Sequence, residues 1–186
     1  FCGILIYMGI VSMPSYRDYW AVGTKCDKVC NIMSLRRFEK LRRYIHFANN
    51  ETPSNDRLHK IRPVLESVVE NCRKQEHEVQ HSVDELMVPY KGTRAGNLRQ
   101  YIQNKPHKWG FKIFVRAGVT GFIYDFLPYT GKDMTANLTN EQNTFGVGAQ
   151  VVIQLCKSLP QGLHARLYFD NFFCTLELII YLKSLN

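Results

Sequence analysis

Long apolar runs, a dense cysteine framework and internal repeats are all missing from this sequence. The apolar opening Phe1–Met13 is stopped by Pro14, short of the roughly 20 residues that a membrane span requires, and no charged leader precedes it. It reads as a buried helix. The six cysteines, Cys2, Cys26, Cys30, Cys72, Cys156 and Cys174, are scattered through a core-rich chain, which excludes a small disulfide-stapled secreted domain. Reduced thiols are expected. Carboxylates are missing from one long stretch: none lies between Glu85 and Asp125, whereas Lys91, Arg94, Arg99, Lys105, Lys108, Lys112 and Arg116 all do.

What is present is enough to fold. With 186 residues, 45% hydrophobic and 12% aromatic, the chain can bury a core and is no disordered tail. One domain, or one and part of another, is expected. The start at Phe1 and the end inside the helical pattern Thr175–Leu185 read as an excerpt of a longer protein. The net charge of +8 is concentrated in the acid-free stretch, which suits a polyanion, because each cation set against a phosphate releases condensed counterions. A second concentration, Arg36, Arg37, Lys40, Arg42 and Arg43 with the single acid Glu39, reads as the solvated face of a helix.

Residues 1–80 read as a helical region. Ser34 is an N-cap, and Leu35, Phe38, Leu41 and Ile45 recur at helical spacing. After a loop over Asn49–Arg57, Pro63 opens a helix with Val64, Leu65, Val68, Val69 and Cys72 inward, fraying near Arg73–Glu78. Residues 81–186 change period. Val83–Val88 is a strand; Phe111–Ala117 alternates, with Phe111, Ile113, Val115 and Ala117 on one face; Phe122–Leu127 completes a hairpin after Gly118–Gly121. Val147–Leu159 is a helix, Arg166–Phe169 a strand and Thr175–Leu185 a helix.

Strand, strand, strand, helix, strand, helix resembles the ribonuclease H-like fold, an α/β (α+β) architecture, here truncated and preceded by the helical region. That resemblance requires an acid on the first strand and another at the end of the fourth to stand side by side. Asp84 and Asp170 occupy those places. Taken singly, they read as a strand-end acid and a turn acid. Together they repel, and a divalent cation relieves the repulsion: Mg²⁺ is held by a few carboxylates plus phosphate oxygens. Two such ions can activate the attacking oxygen and stabilise the leaving one in phosphodiester chemistry.

Several blocks carry a more specific resemblance. They are Ser82-Val83-Asp84-Glu85, Pro89-Tyr90-Lys91-Gly92, the run from Gln100 through Asn104-Lys105-Pro106-His107-Lys108-Trp109-Gly110 to Lys112, Tyr129-Thr130-Gly131-Lys132, and Tyr168-Phe169-Asp170-Asn171-Phe172-Phe173. Upstream stand Gly9-Ile10-Val11, Pro14, Tyr19-Trp20 and the run Arg37–Phe47. Their number and order resemble the piggyBac transposase family over almost the whole chain. The resemblance implies cut-and-paste transposition at TTAA sites, with Asp84 and Asp170 as catalytic metal ligands for Mg²⁺ or Mn²⁺. A third aspartate outside this chain completes the two-ion site, Asp133 and Glu177 being poor stand-ins.

The resemblance further implies DNA partners (element ends and target), contacted by Lys91, Arg94, Arg99, Lys105, Lys108 and Lys112 with Tyr101 and Trp109 interleaved. Core or hairpin packing is the alternative for the two aromatics. It also implies a homodimer when full-length, no membrane association and a nuclear location. Residues 1–80 would be part of a dimerisation and DNA-binding region, and 81–186 the first part of the catalytic domain. A domesticated DNA- or chromatin-binding relative and an inactive remnant are the competing readings, and the excerpt alone is expected to be inactive. The pairs His77/His81 and Cys26/Cys30 have zinc-compatible spacing but no partners nearby, and read as helix-surface histidines and packed thiols.

Overall fold

The computed structural model describes every residue except Ala136 and Asn186, with the side chains of Lys132 and Asp133 also outside the description. The expectation about Asp133 therefore falls outside the described residues. The chain forms two compact units, Phe1–Thr52 and Pro53–Asn186.

In the first unit, helices α1 (Cys2–Ile10), α2 (Asp27–Cys30) and α3 (Leu35–Tyr44) enclose a small aromatic core. Phe38 is buried, with the rings of Phe1, Trp20 and Tyr16 at 5.2, 5.1 and 5.9 Å. Trp20 donates its indole N–H to the Met33 carbonyl at 2.7 Å. The Ser34 hydroxyl caps α3 by accepting from the Arg37 amide at 3.3 Å. The expectation for Phe1–Met13 needs correction: the helix exists, but only Ile4 is buried on it, and Ile6 and Ile10 are 68% and 78% exposed. Its residues are apolar all round, and the core of this unit covers one side only.

The second unit opens with α4 (Arg62–Arg73), carrying Pro63 in its first turn. None of its residues is fully buried, and Val68, expected inward, is exposed. Strands β1 (Gln80–Pro89), β2 (Arg99–Tyr101), β3 (Trp109–Gly118), β4 (Ile123–Pro128) and β5 (Arg166–Phe169) form one sheet. β1 pairs antiparallel with β3 and parallel with β5, while β2 and β4 both pair with the other edge of β3. The β3–β4 turn closes at Gly121, whose φ of +82° is a conformation that favours glycine. Helices α5 (Val147–Cys156) and α6 (Leu176–Ser184) bracket β5 in sequence. The expected order of elements is all there, with β2 added. Helix α4, grouped by sequence with the helical region, packs on β4.

The core lies on one side of this sheet, where α5 buries Ala149, Val151, Val152, Ile153 and Leu155 with Val83, Phe114 and Phe173. Alternation along β3 holds, but the fully buried side chains are Phe114 and Arg116 rather than the set Phe111, Ile113, Val115 and Ala117. The more apolar face of β3 is the half-exposed one. Along β1, His81 and Val83 point to the core, while Ser82, Asp84, Leu86 and Val88 are exposed on the opposite face.

Candidate metal and DNA site

The parallel ladder between β1 and β5 runs Gln80↔Arg166, His81↔Leu167, Ser82↔Tyr168 and Val83↔Phe169. One step further in the same register are Asp84 and Asp170. Neighbouring strands lie about 4.8 Å apart, so the ladder continued by one step sets the two aspartates side by side on adjacent strands. Strand alternation explains their exposure: Val83 and Phe169 turn to the core, and the next residue on each chain turns away. Asp84 Oδ1 accepts from the Glu85 amide at 2.7 Å, and Asp170 Oδ1 accepts from the Phe172 amide at 3.0 Å. Neither carboxylate forms an ion pair among the described residues, and no group of three or more His, Cys, Asp or Glu side chains placed to hold a metal ion occurs among them.

Three of the expected cations, Lys91, Arg94 and Lys108, are exposed, and no carboxylate pairs with them among the described residues. The others are engaged. Lys105 Nζ reaches the Glu85 carboxylate at 3.2 Å and the Glu85 carbonyl at 3.3 Å, tying the β2–β3 loop to the strand that bears Asp84. Lys112 is half-buried over the rings of Phe114 and Phe172, at 4.6 and 4.9 Å. Burial pushes its ammonium below the ordinary lysine value, while Glu85, Asp170 and Asp84 pull the other way. It is thus a cation in the field of both aspartates.

Arg99 stacks on Trp109, its guanidinium carbon 4.2 Å from the ring centroid, and Tyr101 lies 4.9 Å from Trp109 on the other strand of the pair. Both aromatics are about half exposed, at 49% and 47%. The registers Tyr101↔Trp109 and Asp84↔Val115 place this stacked group on the face of the sheet that carries Asp84.

Arg116 is the cation that composition misplaced. It is wholly buried, donating to the Leu155 carbonyl at 3.0 Å and the Ser158 hydroxyl at 2.9 Å, and facing the Nδ1 atoms of His81 and His77 at 3.2 and 3.4 Å. Its opposite number in the β3–β4 register is buried Asp125, which also takes a two-pronged contact from Arg73 at 3.0 and 2.9 Å and a short one from Ser158. His77 and His81 belong to this network and to the approach and body of β1, not to a helix surface. All six cysteines are free thiols. No helix among the described residues is long and apolar enough to cross a membrane.

The family model described as Transposase IS4 matches residues 1–186. The chain belongs to that family. Its relatives are of the piggyBac type. It is 33% identical over 192 residues to the human PiggyBac transposable element-derived protein 3, covering 100% of this chain and 31% of that protein. To the human PiggyBac transposable element-derived protein 2 it is 30% identical over 190 residues, covering 98% of this chain and 31% of the relative. The chain thus spans about a third of the length of these relatives. Among solved structures, a piggyBac transposase synaptic complex with hairpin DNA superposes with a TM-score of 0.82 at 23% identity, over 97% of this chain and 37% of the other. The fold of this transposase domain is ribonuclease H-like.

Proposed function

We propose that Asp84 and Asp170 supply two carboxylates to the divalent-metal site of a transposase that cleaves DNA and transfers strands in its full-length form. The carrying observation is the β1–β5 register, which ends at Val83↔Phe169 and makes the two aspartates next in line. The donor set suits Mg²⁺ or Mn²⁺: hard oxygens, of which Oδ1 of each residue is occupied by a backbone amide and Oδ2 accepts no hydrogen bond among the described residues. A bound ion pair would activate the attacking oxygen and stabilise the leaving one. A third aspartate from outside this chain completes the set in this reading.

The remaining residues bind and orient. Lys91, Arg94 and Lys108 are free to hold phosphates, which positions DNA without reading its sequence. Tyr101 and Trp109, half-exposed and tilted by 56° to one another, offer ring faces for an unpaired base to stack on. A homodimeric, nuclear full-length protein is part of the same proposal. The description of both human relatives as transposable element-derived favours one second reading, a DNA-binding protein that no longer transposes. The assay is excision of a donor element by Asp84→Asn and Asp170→Asn variants of the full-length protein. Excision is expected to fall to background while gel retardation and melting temperature hold. Parental excision in both variants would end the catalytic reading.

A further inference from the structure

Gly148 stands in the first turn of α5 and is buried. A glycine inside a helix costs about 1 kcal/mol relative to alanine, so a contact that excludes a methyl group is the natural reason for it. A Cβ built there would lie 3.0 Å from the Cα and 3.2 Å from the carbonyl carbon of Phe173 and Phe172 respectively, with the Phe172 carbonyl oxygen closer still. These are backbone atoms and cannot swing aside. They belong to the turn that follows Asp170: the Phe172 amide donates to the Asp170 carboxylate at 3.0 Å, and the Phe173 amide to the Asp170 carbonyl at 3.2 Å. The turn is also held by Phe173, wholly buried in the same core, with its ring 5.8 Å from that of Phe114.

We propose that Gly148 is a positioning residue for Asp170: the bare Cα lets the turn seat against α5 at the depth that presents the carboxylate beside Asp84. The inference rests on the metal reading above. It differs from a packing role because its consequence is read at the ligand. Gly146, the N-cap of the same helix, has nothing within 4 Å of its would-be Cβ, so Gly146→Ala adds a methyl to the same helix end without touching the turn.

The test is NMR of the 186-residue chain, titrated with MnCl₂ alone. Gly148→Ala is expected to shift the Phe172 and Phe173 amides and to raise several-fold the Mn²⁺ concentration that broadens signals around Asp84 and Asp170. Gly146→Ala should leave both readouts at parental values. If Gly148→Ala does not fold, Phe173→Leu loosens the turn by removing its buried ring and is expected to do the same. Unmoved Phe172 and Phe173 amides overturn the inference. So does a moved turn with a parental Mn²⁺ midpoint while Asp84→Asn raises that midpoint. A parent chain that shows no Mn²⁺ broadening around the two aspartates, even at the high concentrations that a site of only two carboxylates requires, overturns the metal reading itself, and this inference with it.

Discussion

Replacing Asp125 by Asn tests the buried network most directly. Asn keeps the shape, and its one amide oxygen can still accept from Ser158 and from one prong of Arg73, so what disappears is the other prong and the negative charge opposite Arg116. Arg73 is 44% exposed and can turn to water. Arg116 cannot: it is 0% exposed, and the nearby Asp125 carboxylate is the main group that favours its charged form against burial. Arg116 and Asp125 face each other without an ion pair or hydrogen bond between them among the described residues, so the roughly 3–5 kcal/mol of breaking a buried contact pair is an upper limit for stranding the guanidinium. The Leu155 carbonyl and the Ser158 hydroxyl still accept from the guanidinium, which places the expected loss near the lower end. A unit of this size has roughly 7–20 kcal/mol in all, and each kcal/mol moves its melting temperature by about 3–5 °C, so a fall of about 10–15 °C is expected.

Urea unfolding in a Trp20→Phe background, where the fluorescence of Trp109 reports the second unit alone, measures the loss by linear extrapolation. Adding Arg116→Met should recover part of it, because the stranded charge is gone. A loss under about 1 kcal/mol with an unchanged slope would mean that the carbonyl and hydroxyl suffice for Arg116. The carboxylate would then have no stabilising role opposite the guanidinium.

Acid should weaken the same network. Burial, and then the charge of Arg116, hold the His81 imidazole below its ordinary value, so the unfolded chain takes up a proton that the folded one resists. The stability this contributes is fully present above the unfolded histidine value of about 6.5 and is lost as pH falls from there through the lowered folded value. His81→Gln is expected to flatten melting temperature against pH between about 7 and 5, and a slope equal to the parent's would remove His81 as the cause. The cations divide in a salt titration of DNA affinity. Lys91→Ala, Arg94→Ala and Lys108→Ala together should reduce the slope by about 0.9 for each phosphate no longer neutralised, whereas Lys105→Ala, removing a tether to Glu85, should leave it in place. Equal effects would return Lys105 to the phosphate-binding set.

The difference between what was legible and what was not follows from how far each signal reaches along the chain. Asp84 and Asp170 could be paired from sequence because the order of elements resembles the ribonuclease H-like fold, in which the strands that carry them lie parallel and adjacent, as the β1–β5 ladder does here. Phe38, Ser34 and the β3–β4 hairpin were legible because capping, helical spacing and turn glycines act within a few residues. Arg116 was not, because its charge alone reads as surface. Only the alternation that links it to buried Phe114, together with Asp125 as the first acid after the long gap, pointed inward. The same limit applied to Lys105 and Glu85, 20 positions apart and joined across a loop, and to Gly148, whose reason is a backbone turn that follows it by more than 20 residues. Charge counted along a sequence therefore overstates what DNA can meet. Of the seven cations between Glu85 and Asp125, Arg116 is buried, Lys105 is paired, and Arg99 and Lys112 are stacked on rings. In the proposed reading, phosphate binding falls to Lys91, Arg94 and Lys108, fewer than composition implied, and the salt slope should be correspondingly shallow.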